Sequence, residues 1–211
     1  MLKENSSGNH PSAQNMQPII LASQSPRRKQ LLEWAEIPFT VMVKETDESY
    51  PAHLPVTDIA VHIARNKALA VQHDAGTSIP ILAADTIVVL GNEIIGKPKD
   101  REDAINILSR LSGNHHKVIT GVVILNGQSE ISFADVTDVE FHTLTQEQIE
   151  FYVDKYQPYD KAGAYAIQEW IGVVGIKTIS GDFYNVMGLP VSRVVKAVNT
   201  LIRENVNPLI G

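Results

Sequence analysis

The run Ile79–Leu90, IPILAADTIVVL, is nearly all apolar and rich in β-branched residues. It has no alternating polar face, so it predicts a central strand buried on both sides. Asp85 and Thr86 interrupt this run. A carboxylate in such a place must be neutralised, hydrogen-bonded or bound to a cation. A strand-end aspartate capping a neighbouring turn is the plainer alternative.

The flanking segments read as a mixed α/β unit. Strands are expected at Pro18–Ala22 and Phe39–Lys44, and at IIGKP after the GNE turn. Two more, Lys117–Leu125 and Ile131–Leu144, pair around Asn126-Gly127 through a loop longer than a minimal hairpin. Helices are expected from Pro26 to about Glu36, from Asp58 to His73 with Thr57 as N-cap, and from Asp100 to Leu111. Two more run from Thr145 to about Tyr156 and from Val191 to about Glu204. Ile59, Ala60, Ile63, Ala64 and Val71 give the second helix an apolar face. His115-His116 follows a helix end and reads as a polar turn. About five helices therefore surround a sheet that is not purely parallel.

The 211 residues suit one large domain or a two-lobed unit. A net charge of −6 disfavours nucleic acid as a partner, because phosphate-backbone binding needs a basic face. The chain has no cysteine, which excludes disulfides, thiolate nucleophiles and cysteine-type zinc sites. No apolar run approaches the roughly 20 residues of a membrane span. Residues 1–17 are polar, lack the apolar stretch of a secretory signal and are expected to be disordered, with Met16 as an alternative start. A cytoplasmic location is the expectation.

Against that acidic background, cations stand in unusual places. Ser25 suits an N-cap and Pro26 the first helical position, yet Arg27, Arg28 and Lys29 follow. Positive charge opposes the dipole at a helix start, costing a few tenths to about 1 kcal/mol per residue. Lys67 lies on or near the buried stripe of its helix and is open to reading as a snorkelling lysine. Lys97 sits between a glycine and a proline, and a solvated turn lysine is its alternative. Glu48 in TDES carries no signal alone. DKAGAYAIQ, Asp160 to Gln168, sets small residues beside Lys161 and Gln168, allowing close backbone approach to a ligand or simply a tight turn.

Serine-hydrolase elbows, P-loops, dinucleotide fingerprints and helical histidine metal motifs are absent. What is left is an inventory of Arg27, Arg28, Lys67, Lys97 and Lys161 with the acids Glu48 and Asp85. Arginine and lysine stabilise phosphoryl charge, and paired acids hold Mg2+. That combination points to phosphate-ester or anhydride chemistry on a small molecule.

The blocks LASQSPRRKQLL, DES, ARNKA, ILAADTIVV, IIGKPKD, LSGNHHKVITGV, DKAGAYAIQ and YNVMGLP occur in that order from about Ile19 to Ile202. In this the chain resembles the Maf (septum-formation inhibitor) family of nucleoside triphosphate pyrophosphatases. The complete DKAGAYAIQ block is similar to that of the subgroup acting on dTTP and UTP, although Glu169-Trp170 stands where the family usually continues with glycine. The resemblance implies an elongated mixed sheet flanked by helices, in two lobes with a central cleft, and makes residues 18–211 one such domain. It implies Asp85 as the catalytic acceptor that activates water. Arg27, Thr86 and Gln168 take the positions linked to substrate choice, and Ser23, Arg28, Glu48, Lys67 and Lys97 the other polar pocket positions. It also implies a divalent metal, Mg2+ or Mn2+, held by Glu48 and Asp85, a nucleoside triphosphate as the small-molecule partner, and often a homodimer. Housecleaning of modified nucleotides and a link to cell-division arrest come with the family. A non-catalytic nucleotide-binding regulator of cell division is the alternative function.

Overall fold

A computed structural model describes residues 17–76 and 79–206. The expected N-terminal extension therefore lies, except for Gln17, outside the described residues. The strands are β1 (Ile19–Leu21), β2 (Phe39–Val41), β3 (Ile81–Leu90), β4 (Glu93–Ile95), β5 (His115–Asn126), β6 (Ser129–Phe141) and β7 (Ile176–Ser180). The helices are α1 (Pro26–Trp34), α2 (Val56–Ala75), α3 (Arg101–Leu111), α4 (Gln146–Tyr156), α5 (Trp170–Gly175), α6 (Phe183–Met187) and α7 (Val191–Val206). None of the described helices is long and apolar enough to cross a membrane.

The strands form one mixed sheet in the order β2-β1-β3-β5-β6-β7, with β4 also paired to β3. As its sequence demands, β3 is central. One edge pairs antiparallel with β5 from Ile81–Leu125 to Val89–Lys117. The other edge is shared: β1 runs parallel to Ile81 and Leu82, and β4 pairs antiparallel with Val88–Leu90. Among the described residues no strand pairs with residues 83–87 on that side. The sheet forks there, at Asp85 and Thr86.

Strand alternation sends the two polar residues to opposite faces. Ile81, Ala83, Ile87 and Val89 pack in the clusters beneath α2, and Asp85 belongs to their series. Leu82, Ala84 and Val88 join the large core covered by α1, α3, α4 and α7, and Thr86 belongs to theirs. The predicted apolar face of α2 is buried, extended by Ala68. Its approach is set by Gly121, the partner of Asp85 across the ladder, where an added Cβ would lie 2.2 Å from the Ala60 carbonyl carbon.

Several expectations change. Helix α2 begins at Val56 after Pro55, so Thr57 lies inside its first turn and is not the N-cap. The β5–β6 connection is the minimal hairpin, since Asn126 pairs with Ser129 around Gly127-Gln128. Gly127, at φ 62°, takes the first central position, where a two-residue hairpin turn favours glycine. Strand β7 and the short helices α5 and α6 occupy a glycine- and aromatic-rich stretch with no predicted elements. Helices of five or six residues are too short to display a helical period.

His115-His116 is no turn: it opens β5, and His116 is buried with its Nε2 2.7 Å from the Tyr165 hydroxyl. Phe141 and Tyr165 pack edge-on against its ring. Burial, reinforced by the charge of His115, lowers the His116 pKa from 6.5 to about 4. The unfolded chain therefore binds an extra proton between those values, and stability is lost as pH falls from about 6.5 toward 4. The expected loss is up to about 3 kcal/mol. Urea unfolding of wild type and His116→Gln at pH 7.5 and 5 checks this. The wild-type midpoint should drop more than that of the variant, and parallel drops would refute the assignment.

Candidate active site

The fork opens into a cleft of about 790 Å3. One wall is the end of β1 and the start of α1, where the Ser25 hydroxyl accepts from the Arg28 N–H and caps the helix as its sequence suggests. The loop after β2 brings Glu48, α2 brings Lys67, and β3 brings Asp85 and Thr86. Lys97 and the 160–166 segment face them, and Met187-Gly188 at the end of α6 completes the enclosure.

On the α2 side, Lys67 Nζ lies 2.7 Å from Asp85 Oδ1 and 2.7 Å from Glu48 Oε1. Lys67 does not snorkel outward; it neutralises the carboxylate that β3 half-buries. The Asp85 side chain is 15% exposed and that of Glu48 54%, so one acid is enclosed and the other faces solvent. The hydrogen bond from Lys67 holds the Glu48 carboxyl below its usual pKa against the opposing effect of burial.

Arg28 lies across the fork. Its Nε donates to the Gly188 carbonyl at 2.8 Å, Nη1 to Ser23 Oγ at 3.1 Å and Nη2 to Thr86 Oγ1 at 3.0 Å. Burial lowers its pKa to about 10, partly offset by Asp85, so it stays charged at neutral pH. A guanidinium has five N–H donors, so two remain beyond these bonds. The chain of hydroxyls behind it has a direction. Thr120 Oγ1 donates to the Asn185 carbonyl at 3.2 Å, so the 2.9 Å contact between Thr86 and Thr120 takes its proton from Thr86. Thr86 thus has only acceptor capacity to offer the cleft. Together, Ser23, Arg28 and Thr86 brace β1, β3 and the end of α6.

Arg27, next in sequence to Arg28, does something different. Its Nε donates to the Met187 carbonyl at 3.3 Å and its Nη1 stands 3.6 Å from Asp160 Oδ2. That loose pair lines the cleft and also borders an adjoining pocket of about 370 Å3. Gln168 lies on the wall of this second pocket, exposed, and is not among the residues lining the main cleft. Lys97 is exposed on the cleft wall and forms no ion pair among the described residues. Lys29 does not line the cleft.

Eight of the nine expected site residues thus meet around one cleft, with Gln168 next door. Sequence reading missed Asn185. This fully buried side chain donates to the Val118 carbonyl and to Thr137 Oγ1, both at 3.0 Å, tying α6 to β5 and β6. A polar residue inside YNVMGLP was the available signal.

A family model described as Maf-like protein matches residues 18–201. The chain belongs to the Maf family. Curated relatives named dTTP/UTP pyrophosphatase are similar to this Maf chain over most of its length. One from Cytophaga hutchinsonii is 52% identical over 177 residues, covering 84% of this chain and 81% of its own. One from Bacteroides thetaiotaomicron is 48% identical over 176 residues, covering 83% and 91%. One from Halalkalibacterium halodurans is 46% identical over 183 residues, covering 87% and 95%.

The donor set suits a divalent cation bound jointly with substrate. Lys67 takes one oxygen of Glu48 and one of Asp85, so the second oxygen of each is the donor that would face a cation. No group of three or more histidine or acidic side chains able to hold a metal occurs among the described residues. Two carboxylates leave the remaining positions to phosphate oxygens and water, which is how Mg2+ is commonly held.

Proposed function

We propose that this protein hydrolyses dTTP and UTP to the nucleoside monophosphate and pyrophosphate. The observation that carries the reading is the Glu48–Lys67–Asp85 cluster at the fork of the sheet, opening on a cleft with Arg27, Arg28 and Lys97 around it. The names of the relatives support the substrate class.

The reaction needs water to attack the α-phosphorus while pyrophosphate departs in line. Asp85 orients that water and takes its proton. Lys67 holds Asp85 in place and compensates its charge. Arg27 and Lys97, the cations least committed to the fold, take up charge on the leaving pyrophosphate. Arg28 acts mainly by holding the walls, with two N–H groups left for a phosphate oxygen. The N-terminus of α1 adds its own attraction for phosphate, which accounts for cations at a helix start. A divalent ion, Mg2+ or Mn2+, held by Glu48 and Asp85 would neutralise triphosphate charge.

Gln168 reads the base. Its amide offers a donor and an acceptor, matching the N3–H and a carbonyl of uracil or thymine. A mismatched base that covers this amide takes water from it without giving back a partner, which is the source of discrimination. Pyrophosphate release from UTP, dTTP, CTP, ATP and GTP, with Mg2+ and Mn2+ varied, tests the whole reading. UTP and dTTP should lead; no release from any triphosphate overturns it. In Gln168→Ala the kcat/KM advantage of UTP over purine triphosphates should fall by about tenfold or more. An unchanged ratio would move base reading elsewhere.

A further inference from the structure

Gln168 sits on a turn closed by the Glu169 N–H donating to the Ala166 carbonyl at 3.1 Å. Both ends of this turn are tied to one atom. The Tyr152 hydroxyl, reaching out from α4, accepts from the Ala166 N–H at 3.2 Å and donates to the Glu169 carboxylate. Tyr152 is fully buried, so its hydroxyl has no water to exchange these partners for. Burial and the Glu169 carboxylate push its pKa up, so it remains a proton donor across the physiological range. The second Glu169 oxygen lies 3.7 Å from Lys161 Nζ, which in turn donates to Asp160 at 2.7 Å. From behind, Gly172 backs the turn: an added Cβ there would lie 1.7 Å from the Ile167 carbonyl oxygen.

We propose that Tyr152 and Glu169 are positioning residues for base discrimination, their hydrogen bond holding the 166–169 turn so that the Gln168 side chain starts from a fixed backbone position on the wall of its pocket before the nucleotide arrives. The proposal rests on the reading of Gln168 as the base-side residue. Gln168 makes no side-chain hydrogen bond of its own among the described residues, so its placement depends on its backbone. A loose turn would have to be ordered on binding, weakening affinity and letting the amide adapt to a wrong base. Glu169 borders the second pocket beside Gln168, but neither it nor Tyr152 lines the main cleft, so the chemistry at Asp85 proceeds without them.

Steady-state kinetics with UTP and CTP test this, because cytosine exchanges the hydrogen-bonding pattern that uracil presents. Glu169→Ala and Tyr152→Phe should each raise KM for UTP about tenfold and shrink the UTP/CTP ratio of kcat/KM by a similar factor. The kcat for UTP should stay within about twofold. Glu169→Gln keeps an acceptor for the tyrosine and should restore the ratio to near wild type. Because Tyr152→Phe alters the core, the partly exposed Glu169 pair decides the matter if the tyrosine variant does not fold. Loss of kcat for both nucleotides with an unchanged ratio overturns the proposal, as does Glu169→Gln behaving like Glu169→Ala. Gln168→Ala separates the two levels. If it leaves the ratio intact, the base reading fails and this inference with it. If it collapses the ratio while the Glu169 and Tyr152 variants preserve it, only the positioning role fails.

Discussion

Asp85→Asn should lower kcat for pyrophosphate release by about two to four orders of magnitude, the usual contribution of a positioned proton acceptor. That corresponds to roughly 3–5 kcal/mol of transition-state stabilisation. Asparagine has the shape of aspartate and still offers Lys67 an oxygen, but it cannot take a proton from water. Lys67 keeps Glu48 as a charged partner at 2.7 Å, so the substitution leaves no unpaired buried cation. The variant should therefore melt within a few degrees of wild type and still bind UTP in calorimetry. Turnover within tenfold of wild type would remove Asp85 from the role of acceptor. Loss of folding alongside loss of activity would make it a structural partner of Lys67.

Gly121→Ala should produce a large loss of stability from a single added methyl group. The new Cβ would stand 2.2 Å from the Ala60 carbonyl carbon and 2.3 Å from the Val61 nitrogen, where ordinary contact begins at 3.4 Å. Both atoms are helix backbone, so no rotamer change relieves the clash and α2 has to move by about 1 Å. Overpacking of this kind costs about 3 kcal/mol. For a chain of this size that is a fall in Tm of roughly 6–12 °C. Since α2 also carries Lys67, the survivors should hydrolyse UTP poorly, with kcat reduced more than KM is raised. A Tm unchanged within about a degree would show that α2 can lift from β5 at no cost.

Much of this was legible because local patterns have local causes. The unbroken apolar run of β3 requires burial on both faces, and it became the middle strand. The helical period of Ile59, Ala60, Ile63, Ala64 and Val71 required an apolar surface beneath α2, which the sheet supplies. Asp85 and Thr86 stood out because they break the rule of their own strand. The same logic failed where elements were short or where partners were remote. Strand β7 lies among glycines and aromatics, and its role appears only when β6 pairs with it. His116 looked like half of a polar turn, because nothing near it in the chain announces Tyr165 as its partner.

Arg27 and Arg28 mark the boundary between the two kinds of knowledge. They are adjacent, chemically identical and equally out of place at a helix start, and the chain alone treats them as a pair. Packing separates them. Arg28 points into the fork and is taken up by Ser23, Thr86 and Gly188, whereas Arg27, one residue earlier on α1, is left at the mouth with Met187 and Asp160. Likewise Glu48, Lys67 and Asp85 come from a loop, a helix and a strand, and Gln168 belongs to a neighbouring pocket although its block ends in the same motif as Lys161. Hydrophobic period and capping chemistry act over a few residues, so the amino-acid order specifies the elements, their buried faces and the stock of charged groups. Which of those groups touch is settled by how β1 and β4 divide one edge of β3 and how closely α2 lies on Gly121, contacts between segments whose separation along the chain carries no periodic signal.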